Sequence, residues 1–124
     1  MGHRILVVDD EANIVTSLDY LLRRAGFEVA IARDGEAALA SLASFAPELV
    51  LLDVMMPGKS GFEICQAIRA RPEWRSIRIL MLTAKGSDSA VSKGLALGAD
   101  AFIIKPFATR HLIGEIERLL GAGA

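Results

Sequence analysis

Cysteine is nearly absent: Cys65 stands alone in 124 residues, so no internal disulfide can form and a reducing, cytoplasmic setting is expected. Long apolar runs are missing as well. No stretch approaches the roughly 20 residues needed to cross a bilayer. The opening Met1-Gly2-His3-Arg4-Ile5 has one basic residue and no cleavage pattern, which argues against a secretory leader. Neither sign of charge dominates. Lys and Arg number 14 against 15 Asp and Glu, a formal net charge of −1, which gives no general pull toward nucleic acid or a membrane surface. Only 2 histidines occur, and His3 and His111 lie far apart without partner ligands, so a histidine metal site has no material.

What is plentiful is apolar. Hydrophobic residues make up 52% and charged residues 23%, a soluble globular balance rather than a disordered one. A chain of 13.3 kDa has the length of one domain and is expected to expose roughly 6,400 Å² folded against roughly 19,000 Å² unfolded. The whole chain, 1–124, reads as one domain with an ordered core from about residue 4 to about 120. Residues 121–124 read as a tail or the start of a linker.

Four short runs are almost wholly apolar: Ile5–Val8, Leu49–Leu52, Ile79–Leu82 and Ala101–Ile104. Continuous apolarity over strand length predicts strands buried on both faces of a sheet. Phe27–Ala32 carries Glu28 and is placed at or near an edge. Helical spacing fills the intervals. Ile14, Leu18, Leu21, Leu22 and Ala25 share one face of a first helix, which Gly26 closes. Asp34 caps a second helix bearing Ala38, Leu39, Leu42 and Phe45, ended by Pro47. Ser60 and Glu63 form a capping-box pattern before Ile64, Cys65 and Ile68. Ser87 or Ser89 is the expected cap of a fourth helix through Val91 and Leu95, weakened by Gly94 within it. Leu112, Ile113, Ile116, Leu119 and Leu120 stripe the last helix. Strand and helix alternate throughout, which predicts an α/β fold: a single (βα)5 doubly wound parallel sheet of five strands with helices on both faces.

Ligands in such sheets bind beyond the carboxyl ends of the strands, at the topological switch point. The polar residues that break the apolar runs fall there: Asp9, Asp10 and Glu11 after strand 1, Asp53 after strand 3, Thr83 after strand 4 and Lys105 after strand 5. Carboxylates about 4 Å apart repel by about 4 kcal/mol per pair at an effective dielectric near 20. Three of them in one place call for protonation or a cation. Lys105 supplies one charge. An all-oxygen donor set favours Mg²⁺, with Mn²⁺ as the alternative. Such an ion also holds the oxygens of a transferring phosphoryl group, for which an aspartate can be the nucleophile.

These residues are recognisable as a set. Ile5-Leu6-Val7-Val8-Asp9-Asp10-Glu11, Leu51-Leu52-Asp53-Val54-Met55-Met56-Pro57-Gly58, Leu82-Thr83-Ala84 and Gly98-Ala99-Asp100-Ala101-Phe102-Ile103-Ile104-Lys105-Pro106-Phe107, in that order and at these spacings, resemble the receiver domain of bacterial two-component response regulators. The resemblance runs from Arg4 to about Leu120 and implies that the five strands take the flavodoxin-like order 2-1-3-4-5. It implies that Asp53 is the phosphoacceptor and that Asp10, Asp53 and the main-chain carbonyl of Met55 ligate Mg²⁺, with Asp9 assisting. It also implies that Thr83 and Lys105 bind the phosphoryl group, that Phe102 is the switch aromatic, and that the bond before Pro106 is cis. The implied partners are a histidine kinase or a histidine phosphotransfer protein upstream. Downstream, a partner protein would read the face of the fourth helix, fifth strand and fifth helix, where a homodimer could also form.

Three departures from the family pattern stand out. Phe102 lacks the hydroxyl of the common tyrosine. Met55 and Lys85 occupy positions that tune hydrolysis of the acyl phosphate. Ala108 replaces a capping residue, leaving Thr109 as the expected substitute. The rival readings are weaker. A Mg²⁺-dependent phosphohydrolase of the haloacid dehalogenase type wants a second aspartate where Met55 stands, and a flavodoxin-like carrier wants a hydroxyl-rich loop where Asp9-Asp10-Glu11 stands. An unphosphorylated interaction module is the third. Gly58-Lys59-Ser60 imitates the end of a P-loop, but the motif's first glycine would fall on Asp53. Cys65 is expected to be an inert core residue. Arg69, Arg71, Arg75 and Arg78 around Trp74 are expected to form a solvated loop rather than a nucleic-acid patch.

Overall fold

A computed structural model describes residues 3–54, 56, 60–84 and 88–121. Expectations falling on Met55, Gly58, Lys59, Lys85, Ser87 and residues 122–124 lie outside these. The strands are β1 (Arg4–Val8), β2 (Glu28–Ala32), β3 (Leu49–Asp53), β4 (Arg78–Ala84) and β5 (Ala101–Lys105). They alternate with α1 (Ala12–Arg24), α2 (Gly35–Phe45), α3 (Gly61–Ala70), α4 (Asp88–Ala96) and α5 (Thr109–Leu120), and a short 3-10 turn, Pro72–Trp74, precedes β4. All strand pairs are parallel, in the order β2-β1-β3-β4-β5. The exposed surface is 6618 Å², near the value expected from mass.

Strand residues alternate between two cores, as the pleat requires. Ile5, Val7, Leu49, Leu51, Leu80 and Leu82 pack with α1 and α5 on one face. Leu6, Val8, Val50, Leu52, Ile79 and Met81 pack with α2 and α3 on the other. The chain passes from β1 to β2 on one side and returns to β3 on the other, so the switch point lies between the carboxyl ends of β1 and β3.

Local signals account for most helix ends. Asp34 accepts from the Ala37 N–H at 2.8 Å, and the Ser60–Glu63 capping box is formed. Gly26 adopts φ +98° after α1, the left-handed turn that glycine permits.

Five expectations need correction. Ala101–Ile104 is not buried on both faces: β5 is an edge strand, and Ile104 is 50% exposed. In α1, Val15 is buried while Ala25 is exposed. Ser89 is not a cap, because α4 already begins at Asp88. Leu95, expected on the inner face of that helix, is 49% exposed, and Gly94 is the residue buried there. Thr109 is the first residue of α5 rather than its cap; Ala108 holds the cap position and makes no side-chain bond.

In the arginine segment Arg71, Arg75 and Arg78 are exposed, as expected, and Arg69 is the exception. Arg69 donates to the carbonyls of Gly98 (2.9 Å) and Ile77 (2.8 Å) and pairs with Asp100 at 2.9 Å. Arg78 donates to the Leu119 carbonyl at 3.0 Å, and Arg71 lies over the Trp74 ring. Arg69 and Arg78 thus tie neighbouring elements together, while Arg71 makes only local contacts with Glu73 and Trp74.

Candidate functional site

β1 ends beside the central strand β3, and the chain leaving it is held by a bond from the Asp9 N–H to the Ala32 carbonyl (3.2 Å). That leaves the Asp9 side chain fully buried. Its Oδ1 accepts from the Glu11 N–H at 3.0 Å, while Oδ2 is buried with no hydrogen-bond partner. Asp53, the last residue of β3, is 5% exposed. Asp9, Asp10 and Asp53 each offer a carboxylate oxygen within 4.8 Å of the others. Lys105, at the end of β5, reaches across β4 to this group: Nζ lies 3.1 Å from Asp53 Oδ1 and 3.7 Å from Asp9 Oδ2. The Lys105–Pro106 peptide bond is cis. Asp10 is not a helix cap, since Glu11 holds that position of α1 and makes no side-chain bond there.

Thr83 is 4% exposed. It opens, with Asp10, Asp53 and Lys105, onto a cavity of about 640 Å³ whose other walls include Ile14 and Phe107. Phe102 does not line this cavity. It pairs in register with Met81, two residues before Thr83 on the same sheet face, and packs into the α2–α3 core. Of the expected residues, Asp9, Asp10, Asp53, Thr83 and Lys105 therefore converge, while Phe102 stands in the neighbouring layer. The expected Met55 carbonyl lies outside the described residues.

Two contributors escape sequence reasoning. Arg33, after β2, donates from Nη2 to the main-chain carbonyl of Asp10 at 3.0 Å, bracing the loop that carries two of the carboxylates. No motif surrounds it. Gly61 begins α3 so close to the Asp53 carbonyl that a Cβ would overlap it. A glycine directly after a capping serine was the available signal.

The electrostatics fit a hard cation. Each carboxylate pair within this separation costs about 3.5 kcal/mol or more at an effective dielectric near 20, and one ammonium leaves the cluster with excess negative charge. The orphaned Asp9 Oδ2 and the all-oxygen donor set are what an oxygen-seeking divalent ion requires.

A parallel sheet of this order, with carboxylates, a hydroxyl and an ammonium gathered at its switch point, defines a class of phosphoryl-handling signalling domains. The family model for the response regulator receiver domain matches residues 5–117, and the chain belongs to that family. Among relatives, it is 41% identical over 120 residues to the sensory transduction protein RegX3 of Mycolicibacterium smegmatis, covering 97% of this chain and 51% of that protein. It is 42% identical over 117 residues to the phosphate regulon transcriptional regulatory protein PhoB of Rhizobium meliloti, covering 94% and 52%. The chain thus spans about half the length of these curated relatives. The Vibrio cholerae chemotaxis protein CheY4 superposes with a TM-score of 0.91 at 34% identity, covering 96% of this chain and 99% of that one. The receiver domain is a signalling switch, and its acidic cluster can bind a metal ion. Among the described residues no helix is long and apolar enough to cross a membrane.

Proposed function

We propose that this domain accepts a phosphoryl group on Asp53 from a histidine kinase or histidine phosphotransfer protein, and that the ion held by Asp9, Asp10 and Asp53 is Mg²⁺. An Asp53 carboxylate oxygen attacks phosphorus, the P–N bond to the donor imidazole breaks, and the released nitrogen regains its electron pair and takes a proton. Bound Mg²⁺ neutralises charge on the phosphoryl oxygens. Lys105 pairs with one of those oxygens and Thr83 donates to another. Arg33 holds the Asp10 main chain in place during the exchange. Catalysis here is limited to the domain's own phosphorylation and dephosphorylation. The state is read by a partner at α4, β5 and α5, and a reducing cytoplasm suits the single cysteine.

One observation carries this reading: Lys105 Nζ lies 3.1 Å from Asp53 Oδ1 and 3.7 Å from Asp9 Oδ2, and Asp53, Lys105 and Thr83 line one cavity, so nucleophile, cation and hydroxyl face it together. The test is incubation with Mg²⁺ and acetyl phosphate followed by intact mass. The expected result is a gain of one phosphoryl group, absent in Asp53→Asn and in chelator. Rapid turnover of phosphate esters would replace the switch with a phosphohydrolase. Failure to bind either Mg²⁺ or a beryllofluoride mimic would leave an interaction module only. Mass is a better readout than tryptophan fluorescence, because Trp74 precedes β4 and so lies at the amino ends of the strands.

A further inference from the structure

Gly94 is the buried residue of α4, and what faces it is the ring of Phe102. A Cβ at this position would overlap Phe102 Cζ and stand 3.1 Å from Cε1 and 3.0 Å from Met81 Sδ. Phe102 and Met81 are register partners on β5 and β4, so the ring enters from the sheet edge and lies beneath the helix in volume that any other residue at 94 would fill. The carboxyl end of α4 cannot rise to make room. Arg69 Nε on α3 holds the Gly98 carbonyl at 2.9 Å, and Cys65 Sγ, one turn earlier on α3, approaches the Leu97 carbonyl at 3.6 Å. The amino end of α4 begins four residues after β4, the strand that carries Thr83. Gly94 is the seventh of the nine residues of α4, so helix height and ring position are tied near the held carboxyl end.

We propose that Gly94 is the seat of the Phe102 ring. It is a positioning residue that decides whether the ring lies under α4 or turns out at the edge of the sheet, and it links α4 to the acidic rim through Met81, two residues before Thr83 on β4. The seat stands on packing alone; its use in signalling rests on the switch reading above. A ring turned out would join Leu95 and Ile104, which are already 49% and 50% exposed, and so enlarge the apolar surface at this edge.

The test compares wild type, Gly94→Ala, Phe102→Ala and the double variant by thermal unfolding in chelator. Gly94→Ala is expected to lower Tm when Phe102 is present. It should raise Tm in the Phe102→Ala background, where the methyl enters vacated space and alanine favours the helix. A Gly94→Ala protein that fails to fold while the double variant folds supports the seat equally. A shift of the same sign in both backgrounds overturns the proposal. In NMR the Met81 methyl resonance should move in Gly94→Ala as the ring current leaves it; an unmoved resonance overturns the proposal too. Finally, Gly94→Ala should bind beryllofluoride with Mg²⁺ about tenfold more weakly, within the usual span of coupling between sites. Unchanged binding overturns the link to the rim. Wild type that binds no beryllofluoride instead sinks the switch reading, and the thermal comparison still decides the seat.

Discussion

The α-carbon of Gly61 packs against the main-chain carbonyl of Asp53 with no space between them for a methyl group. A Cβ would also stand 2.9 Å from the Val54 α-carbon and 3.1 Å from the Asp53 carbonyl carbon. These are backbone atoms and cannot swing aside. The Gly61 N–H donates to the Val54 carbonyl at 3.1 Å, and the Ser60–Glu63 box caps the same turn. The first turn of α3 and the residue presenting the central carboxylate thus share one wall.

Gly61→Ala should therefore act on stability and on the metal together. Overpacking of this kind costs about 1–3 kcal/mol, and relief requires Asp53 to shift, so Mg²⁺ affinity should fall as well. Ser60→Ala is the control: loss of a cap costs about 1 kcal/mol but leaves the wall in place. Chemical denaturation and calorimetric Mg²⁺ titration of both variants separate the effects. Equal Mg²⁺ affinity in Gly61→Ala and wild type would show that the contact does not position Asp53.

Lys105 pairs with Asp53 at 3.1 Å and with the fully buried Asp9 at 3.7 Å. Lys105→Met leaves Asp9 buried and the cluster repelling itself. Breaking a fully buried pair costs about 3–5 kcal/mol, and because the Lys105 side chain is 23% exposed the expected loss is smaller, about 1–3 kcal/mol. Asp9→Asn should do the reverse in chelator, raising Tm by removing a repelling charge, while weakening Mg²⁺ binding. Because an ion that binds only the folded state stabilises it, Mg²⁺ should raise Tm more in Lys105→Met than in wild type and less in Asp9→Asn. Identical Mg²⁺-induced shifts in all three proteins would remove the electrostatic account of the rim.

The acidic rim was readable because β1, β3 and β4 are buried on both faces, so each runs apolar until it meets a polar residue with a task. The same reasoning misplaced β5. Ala101–Ile104 is as apolar as the central strands, yet it lies at an edge, and apolarity without alternation does not distinguish the two. It failed differently at α4, where inward-facing positions were sought among large residues; the inward residue is Gly94, selected by the ring beneath it, and Leu95 points out. Arg33 and Arg69 were invisible for a third reason. Their acceptors, the carbonyls of Asp10 and Gly98, lie 23 and 29 residues away, and main-chain acceptors leave no mark on sequence spacing.

Arg69 should prove one of the more sensitive positions outside the rim. Its guanidinium satisfies the carbonyls of Gly98 and Ile77 and pairs with Asp100, whose Oδ2 also accepts the Ile79 N–H at 2.7 Å. Arg69→Met removes several bonds at once and strands acceptors, so a loss of about 2–4 kcal/mol is expected. Arg69→Lys should recover little of it, because a single ammonium cannot reproduce the planar fork. The measurement is urea denaturation of the three proteins; a lysine variant as stable as wild type would reduce the contact to simple charge pairing.

At the opposite end of the sheet, Glu48 makes stability fall in acid. The hydrogen bond from His3 at 2.9 Å is the main cause that holds its carboxyl below the ordinary value of 4.5, burial opposes this, and the Arg4 N–H at 3.0 Å adds to the lowering. A carboxyl with a depressed folded pKa contributes stability that is present above its unfolded value and lost as pH falls through the folded one. The Glu48 side chain is 50% exposed, so the contribution is under about 1 kcal/mol and weakens with salt. Below pH 4.5, wild type should lose stability more steeply than Glu48→Gln at low ionic strength. His3→Ala should fall between them, because the Arg4 N–H remains. Denaturation midpoints measured from pH 6 to about pH 3 decide it: parallel curves for wild type and Glu48→Gln would mean that this carboxyl titrates alike in the folded and unfolded chains.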